Sequence, residues 1–165
     1  MSLLEVPGAR LHHETRGSGP LLLMIPAAGG DGGVFAMVSE HLATHYTVLT
    51  YDRRGFSRSR LDGPQDYGHR LQTDADDARR LIEHVSDEPA TIFGTSSGGI
   101  VALTAHADRI VPAAGRESRG HPAYQVSVEL GKKLGRDMIE MPGGHVGFVA
   151  HPAEFAHEFM RALAR

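Results

Sequence analysis

Hydrophobic positions along this chain alternate between short strand-like runs and longer helical stripes. Two short runs, 3–6 and 10–15, flank a Pro-Gly turn and predict a β-hairpin. The continuous apolar run Leu21–Ile25 is typical of a strand buried on both faces of a parallel sheet. Apolar stripes at helical spacing predict helices over 34–43 and 70–85.

The rest of the pattern continues the alternation. It predicts strands over 46–51, 90–94, 109–113 and 138–141, a short helix ending near residue 106, and helices over 122–134 and 152–164. Strands that alternate with helices indicate an α/β fold with a mostly parallel sheet flanked by helices. At 165 residues, we expect one domain.

The helix predicted over 70–85 has a distinct polar pattern. Its inner face is expected to hold the apolar residues of the stripe, which are Leu71, Ala75, Ala78, Leu81, Ile82 and Val85. Three aspartates, Asp74, Asp76 and Asp77, precede two arginines, an order that the helix dipole favours.

Composition narrows the classes of function. The net charge of −3 provides no basic surface for nucleic acid, and no apolar run is long enough to span a bilayer. The first residues lack a basic region and a long apolar region, so no signal peptide is expected. The absence of cysteine excludes disulfides and thiolate chemistry, and a cytoplasmic protein is expected.

The most informative segment is Gly-Thr-Ser-Ser-Gly at 94–98, between a β-branched strand and an apolar helix. A glycine two residues before and two residues after a serine permits a very tight strand-to-helix turn. Such a nucleophile elbow holds its serine in a strained conformation with the hydroxyl exposed. The spacing selects Ser96 over Ser97, because Ser97 would have Thr95 at the first glycine position.

Three further segments accompany the elbow. They are a buried strand with a flexible loop at 22–30, Tyr-Asp-Arg-Arg-Gly at 51–55, and Pro-Gly-Gly-His at 142–145. In this order, the four motifs resemble the α/β-hydrolase family, and the resemblance covers nearly the whole chain.

The resemblance implies a site residue by residue. It makes Ser96 the nucleophile and His145 the general base, because a serine hydroxyl needs a neighbouring imidazole to accept its proton. The oxyanion hole would use the backbone N–H groups of Ser97 and Ala28. The family often has His-Gly where this chain has Pro26-Ala27, a change that backbone donors tolerate.

The acid of the triad is the least defined member. The resemblance places it in the loop 115–120, where Glu117 is the only carboxylate. Glutamate can replace aspartate in orienting the base. Asp52 is the second candidate for the acid, because it lies at the end of a strand. The resemblance gives this aspartate a structural role, which is the competing interpretation.

The chain also departs from the family. The elbow helix passes through 107–110 directly into a later strand, so the fold is expected to lack its cap and one central strand. An open serine would then face solvent, and the triad could be displaced by one strand spacing, about 4.8 Å. A homodimer that rebuilds the sheet is a further expectation.

The sequence therefore predicts a serine hydrolase acting on small carboxylic esters, with a small-molecule ester as partner and no cofactor. Four other histidines, His12, His13, His41 and His45, are expected to face solvent, and no metal-ligand pattern is present. The main alternative is a catalytically silent binding protein or a shortened scaffold, natural or engineered. A dinucleotide-binding oxidoreductase ranks last, because the glycine spacing does not fit.

Overall fold

A computed structural model describes residues 2–105 and 110–164. The chain forms two compact units, Met1–Ala107 and Asp108–Arg165. The junction expected at 107–110 lies largely outside the described residues, which exclude 106–109.

A mixed sheet organises the first unit. Its strands are β1 (Ser2–Val6), β2 (Ala9–Arg16), β3 (Leu21–Ile25), β4 (Thr47–Tyr51), β5 (Arg60–Leu61) and β6 (Thr91–Gly94). The strand order is β1-β2-β4-β3-β6, and β5 pairs with β2. The predicted β1–β2 hairpin is antiparallel, whereas β3 pairs in parallel with both β4 and β6. The alternation therefore identified the parallel centre of the sheet and its hairpin, but it did not predict the short strand β5.

The core of the first unit lies between this sheet and its helices. All five residues of β3 are buried, as expected for a strand with neighbours on both sides. The helices are α1 (Ala36–Leu42), preceded by a short 3-10 turn (Gly32–Phe35), α2 (Arg70–Val85) and α3 (Ser97–Ala105). β6 lies at the end of the sheet order and has β3 as its partner within the described residues.

Helix α2 differs from its predicted pattern on one face. Ala75, Ala78 and Leu81 are buried as expected, but Leu71 is 42% exposed, so its assignment to the inner face was wrong. Asp74 and Asp77 are buried instead, each at 1% exposure. Arg53 and Arg54, on the loop after β4, form ion pairs with these two aspartates. The main electrostatic partners of the aspartates are therefore these arginines and not the helix dipole.

Two histidines of the β1–β2 hairpin also differ from their predicted exposure. His12 and His13 were expected to face solvent, but both are buried on β2. The ring of His13 packs edge-on against His84 of α2, with 5.4 Å between ring centroids. Burial is the main cause that lowers the pKa of His13, followed by the electrostatic effect of the neighbouring His84 and His12.

The second unit has a two-stranded parallel sheet of β7 (Ala113–Gly115) and β8 (Ile139–Met141). Its helices are α4 (Pro122–Leu134), α5 (Gly147–Ala150) and α6 (Pro152–Leu163), with a 3-10 turn at Arg116–Ser118. The strand predicted over 109–113 was wrong in its bounds, because pairing begins at Ala113; Arg109 lies outside the described residues. Pro112 instead accepts a hydrogen bond from the Ile139 N–H through its carbonyl. Within residues 2–105 and 110–164, none of the helices has the length and apolar character needed to cross a membrane.

Candidate active site

Ser96 lies at the turn between β6 and α3 with a positive φ of 53°. This left-handed conformation is unfavourable for a non-glycine residue and marks local backbone strain. Close backbone approaches hold it there. A Cβ on Gly94 would lie 2.3 Å from the Gly98 carbonyl oxygen, and a Cβ on Gly98 would lie 2.4 Å from that of Ile25. Both glycines are therefore required by the turn, and the exposed Ser96 has the backbone geometry of a nucleophile elbow.

The two expected oxyanion donors belong to the same unit as Ser96. Ser97 is the first residue of α3, and Ala28 lies on the exposed loop after β3. Within the described part of the chain, no acceptor is assigned to either backbone N–H. The Thr95 N–H donates to the Ile25 carbonyl over 3.3 Å, which joins the elbow to the end of β3. This hydrogen bond joins the segment that precedes Ser97 to the strand end that precedes Ala28.

Asp52 is committed to its own loop. Its carboxylate accepts hydrogen bonds from the Gly32 N–H at 2.9 Å and the Arg58 N–H at 3.0 Å. The Arg58 side chain adds two more, at 2.7 and 3.0 Å. These donors, despite the opposing effect of burial, lower the pKa of Asp52. The carboxylate therefore ties the end of β4 to the start of the 3-10 turn, the structural role expected of it.

The loop after β4 also supplies two buried arginines. Arg54 forms a two-pronged ion pair with Asp77, with Nε–Oδ2 at 2.7 Å and Nη2–Oδ1 at 2.6 Å. Arg53 donates to Asp74 over 2.5 Å, to the Ala27 carbonyl over 3.2 Å and to the Ser97 hydroxyl over 3.1 Å. Sequence reasoning missed Arg53 and Asp74. The only available signal was an Arg-Arg pair followed by aspartates at helical spacing.

Glu117 and His145 both belong to the second unit. They lie on the loops that follow the parallel strands β7 and β8, so both loops leave the same edge of that sheet. The Glu117 N–H donates to the Gly143 carbonyl over 3.1 Å, two residues from His145. Both side chains are exposed. The structure thus brings these two loops together.

The carboxylate of Glu117 faces another histidine. Its Oε1 lies 3.9 Å from Nε2 of His151, at the end of α5. The same ring packs against Gly143, because a Cβ built there would lie 2.9 Å from the His151 ring. Sequence reasoning did not select His151. Its ring lies against the Gly-Gly-His loop, and its Nε2 is the side-chain nitrogen found within 4 Å of the Glu117 carboxylate among the described residues.

A shallow groove of about 360 Å³ lies beside Ser97 in the first unit. Its walls include the charged residues Arg53 and Asp74 and the apolar side chains of Tyr67, Leu71 and Ile100. Of the elbow serines, Ser97 lines this groove, whereas Ser96 is not part of its lining.

Comparison with known proteins agrees with this geometry. The family model described as alpha/beta hydrolase fold matches residues 20–113. The uncharacterized hydrolase YraK of Bacillus subtilis (strain 168) is 50% identical over 100 residues, which cover 61% of this chain and 36% of YraK. RutD of Agrobacterium fabrum, provisionally named a carbamate hydrolase, is 25% identical over 170 residues, covering 94% of this chain and 61% of RutD.

Among solved structures, the N-acyl homoserine lactonase AidH, complexed with N-butanoyl homoserine, is similar with a TM-score of 0.59 and 25% identity. The match covers 64% of this chain and 39% of AidH. The chain thus spans between about a third and three fifths of the length of these relatives. The family match extends from β3 through the elbow to the start of β7. The chain belongs to the alpha/beta hydrolase fold family.

Proposed function

We propose that this chain is a serine hydrolase that cleaves small carboxylic esters through an acyl-enzyme intermediate. The observation that carries the proposal is Ser96 itself, exposed at a positive φ between two glycines that the turn requires. A protein that only needed a strand-to-helix connection would have no reason to place a serine in this strained position.

The proposed reaction has two acyl-transfer steps. His145 accepts the proton of the Ser96 hydroxyl as its Oγ attacks the ester carbonyl, and the N–H groups of Ala28 and Ser97 stabilise the resulting oxyanion. The tetrahedral intermediate collapses, and His145 returns the proton to the departing alcohol. Water, deprotonated by His145, then attacks the acyl group and releases the acid and free Ser96.

Glu117 is the proposed third member of the triad. A carboxylate beside the base fixes the orientation of its ring and stabilises the imidazolium that forms during attack. The hydrogen bond between the Glu117 and Gly143 backbones supports this role, because it holds the acid loop next to the loop that bears His145. The pairing of Glu117 with His151 favours the alternative, a silent binding protein, because that carboxylate faces a different ring.

An ester is the substrate class that the chemistry of an activated serine and the name of one relative favour together. AidH is named a lactonase, and a lactone is a cyclic ester. RutD is provisionally named for carbamates, which also contain an acyl carbon attached to a leaving group.

Hydrolysis of p-nitrophenyl acetate, butyrate and octanoate tests the proposal. We expect turnover that favours the short chains and falls to the uncatalysed rate in Ser96→Ala. Ser127→Ala, which removes a serine on α4 outside the site, is the matched control and retains the activity. Activity that survives Ser96→Ala would refute the proposal, and a folded but inactive wild-type chain would favour the silent binding protein.

A further inference from the structure

We infer that Arg53 is a positioning residue that holds the two amides of the oxyanion hole at a fixed separation. The inference rests on the proposed function and adds a residue to it that none of the four family motifs assigns to catalysis. It follows from one guanidinium group that contacts the backbone carbonyl beside one expected donor and the side-chain hydroxyl of the residue that carries the other.

The contacts of Arg53 define the role. Its Nη1 donates to the carbonyl oxygen of Ala27 at 3.2 Å, directly before the Ala28 amide. The same nitrogen donates to the hydroxyl of Ser97 at 3.1 Å, in the residue that supplies the second amide. Because the Ala27 carbonyl and the Ala28 N–H belong to one peptide group, a bond to the oxygen fixes the direction of the N–H. Arg53 thus orients one donor and anchors the residue of the other.

The far side of Arg53 is anchored in the core. Its Nη2 donates over 2.5 Å to Asp74, which is 1% exposed and also accepts from Arg70 Nε at 2.9 Å. The guanidinium of Arg70 lies 5.3 Å from the ring centroid of Phe56. A Cβ on Gly30 would meet the Phe56 ring at 2.3 Å, so that ring packs closely against the oxyanion loop. Helix α2 therefore holds the loop after β3 by two routes, one ionic and one by packing.

A purely structural role explains less. Arg54, next in the chain, already joins the loop after β4 to α2 through a two-pronged ion pair with Asp77. Beyond its ion pair with Asp74, Arg53 makes two further contacts, with the Ala27 carbonyl and the Ser97 hydroxyl. A link that served only to join the loop to α2 would not need these two contacts.

Amide hydrogen exchange tests the contacts of Arg53 with Ala27 and Ser97, here called the tether, without requiring any activity. In Arg53→Met, we expect faster exchange in peptides covering 27–30 and 97–99, with unchanged exchange in β4. The matched control is Arg79→Met on α2, whose partner Asp76 is partly exposed, and it should leave both peptides unchanged. Unchanged exchange of both peptides in a folded Arg53→Met would overturn the inference. Should that variant not fold, Ser97→Ala removes the Arg53–Ser97 contact alone and should speed exchange at 97–99.

Reaction with a fluorophosphonate tests the consequence for chemistry. We expect Arg53→Met to slow labelling of Ser96 by about 10- to 100-fold, since misplacing an oxyanion donor weakens transition-state binding. With p-nitrophenyl acetate, kcat calculated per mole of folded enzyme should fall while KM stays unchanged. A loss of folded protein alone would leave this normalised kcat at the wild-type value. Arg53→Lys keeps the positive charge but loses the planar group of N–H donors, so it should recover little of the labelling rate.

The two measurements separate two kinds of failure. Faster exchange together with unchanged labelling would overturn the positioning role while leaving Ser96 as the nucleophile. A wild-type chain that is folded but never labelled would overturn the proposed function and, with it, the catalytic meaning of the tether. Faster exchange with slower labelling supports both.

Discussion

The backbone N–H of Glu117 donates a hydrogen bond to the carbonyl oxygen of Gly143 over 3.1 Å. This bond joins the loop that follows β7 to the loop that follows β8, and both loops leave the parallel sheet at the same edge. A Cβ on Gly115 would lie 2.2 Å from the Gly144 carbonyl oxygen, so the two loops touch along their backbones. The carboxylate and the imidazole proposed to work together thus lie on loops in direct contact.

The first prediction concerns this carboxylate. Replacing Glu117 with Gln keeps its size and backbone bond but removes the charge that would stabilise a protonated His145. We expect ester hydrolysis to fall by about 100-fold or more, with the free energy of unfolding little changed. Glu129→Gln, on exposed α4, is the control. Full activity in Glu117→Gln would remove Glu117 from the triad.

The second prediction concerns the elbow. A Cβ at residue 98 would lie 2.4 Å from the Ile25 carbonyl and 2.6 Å from that of Pro26. Since neither backbone oxygen can move freely, we expect Gly98→Ala to lower the free energy of unfolding by about 3 kcal/mol or more. Gly63→Ala meets no atom within 4 Å and should change stability little. Urea denaturation measures both, and equal stability of the two variants would contradict the elbow geometry.

The third prediction compares adjacent aspartates on α2. Asp77 is buried and paired with Arg54, whereas Asp76 pairs with the half-exposed Arg79. Asp77→Ala leaves the Arg54 charge buried without its partner and should cost about 3–5 kcal/mol. Asp76→Ala should cost less than about 1 kcal/mol. Similar losses in the two variants, measured by denaturant unfolding, would show that the Arg54–Asp77 pair contributes little.

The fourth prediction is a pH dependence. The pKa of His13 is lowered in the folded protein, so this buried ring stays neutral at pH values where the unfolded chain is protonated. The unfolded state therefore binds more protons below about pH 6.5, and the free energy of unfolding should fall as the pH decreases from there. His13→Gln should flatten this fall, whereas the exposed His41→Gln should retain it. An identical pH profile for wild type and His13→Gln would contradict the assignment.

Sequence patterns predicted the elements of this fold where the signal was local. The apolar run Leu21–Ile25 and the stripe over Arg70–Val85 coincide with β3 and α2, because each contains its own periodicity and end signals. The elbow was also recognisable, because the turn itself leaves no room for side chains at Gly94 and Gly98.

Features that depend on distant partners could not be predicted in this way. The burial of Asp74 and Asp77 follows from Arg53 and Arg54, which precede them by 21 and 23 residues. Likewise, an apolar run predicted a strand from residue 109, whereas β7 starts at Ala113, where β8 provides a pairing partner. Hydrophobic periodicity contains no information about either the distant charges or the strand register.

The measurement that tests the account most directly is labelling of the folded chain with a fluorophosphonate, with the modified peptide located by mass spectrometry. We predict a single adduct on Ser96 that is lost in Ser96→Ala and strongly reduced in His145→Ala. The exposed His157→Ala is the control for the histidine and should label like the wild type. A folded wild-type chain without an adduct, or one whose labelling does not depend on His145, would contradict the proposed activated serine.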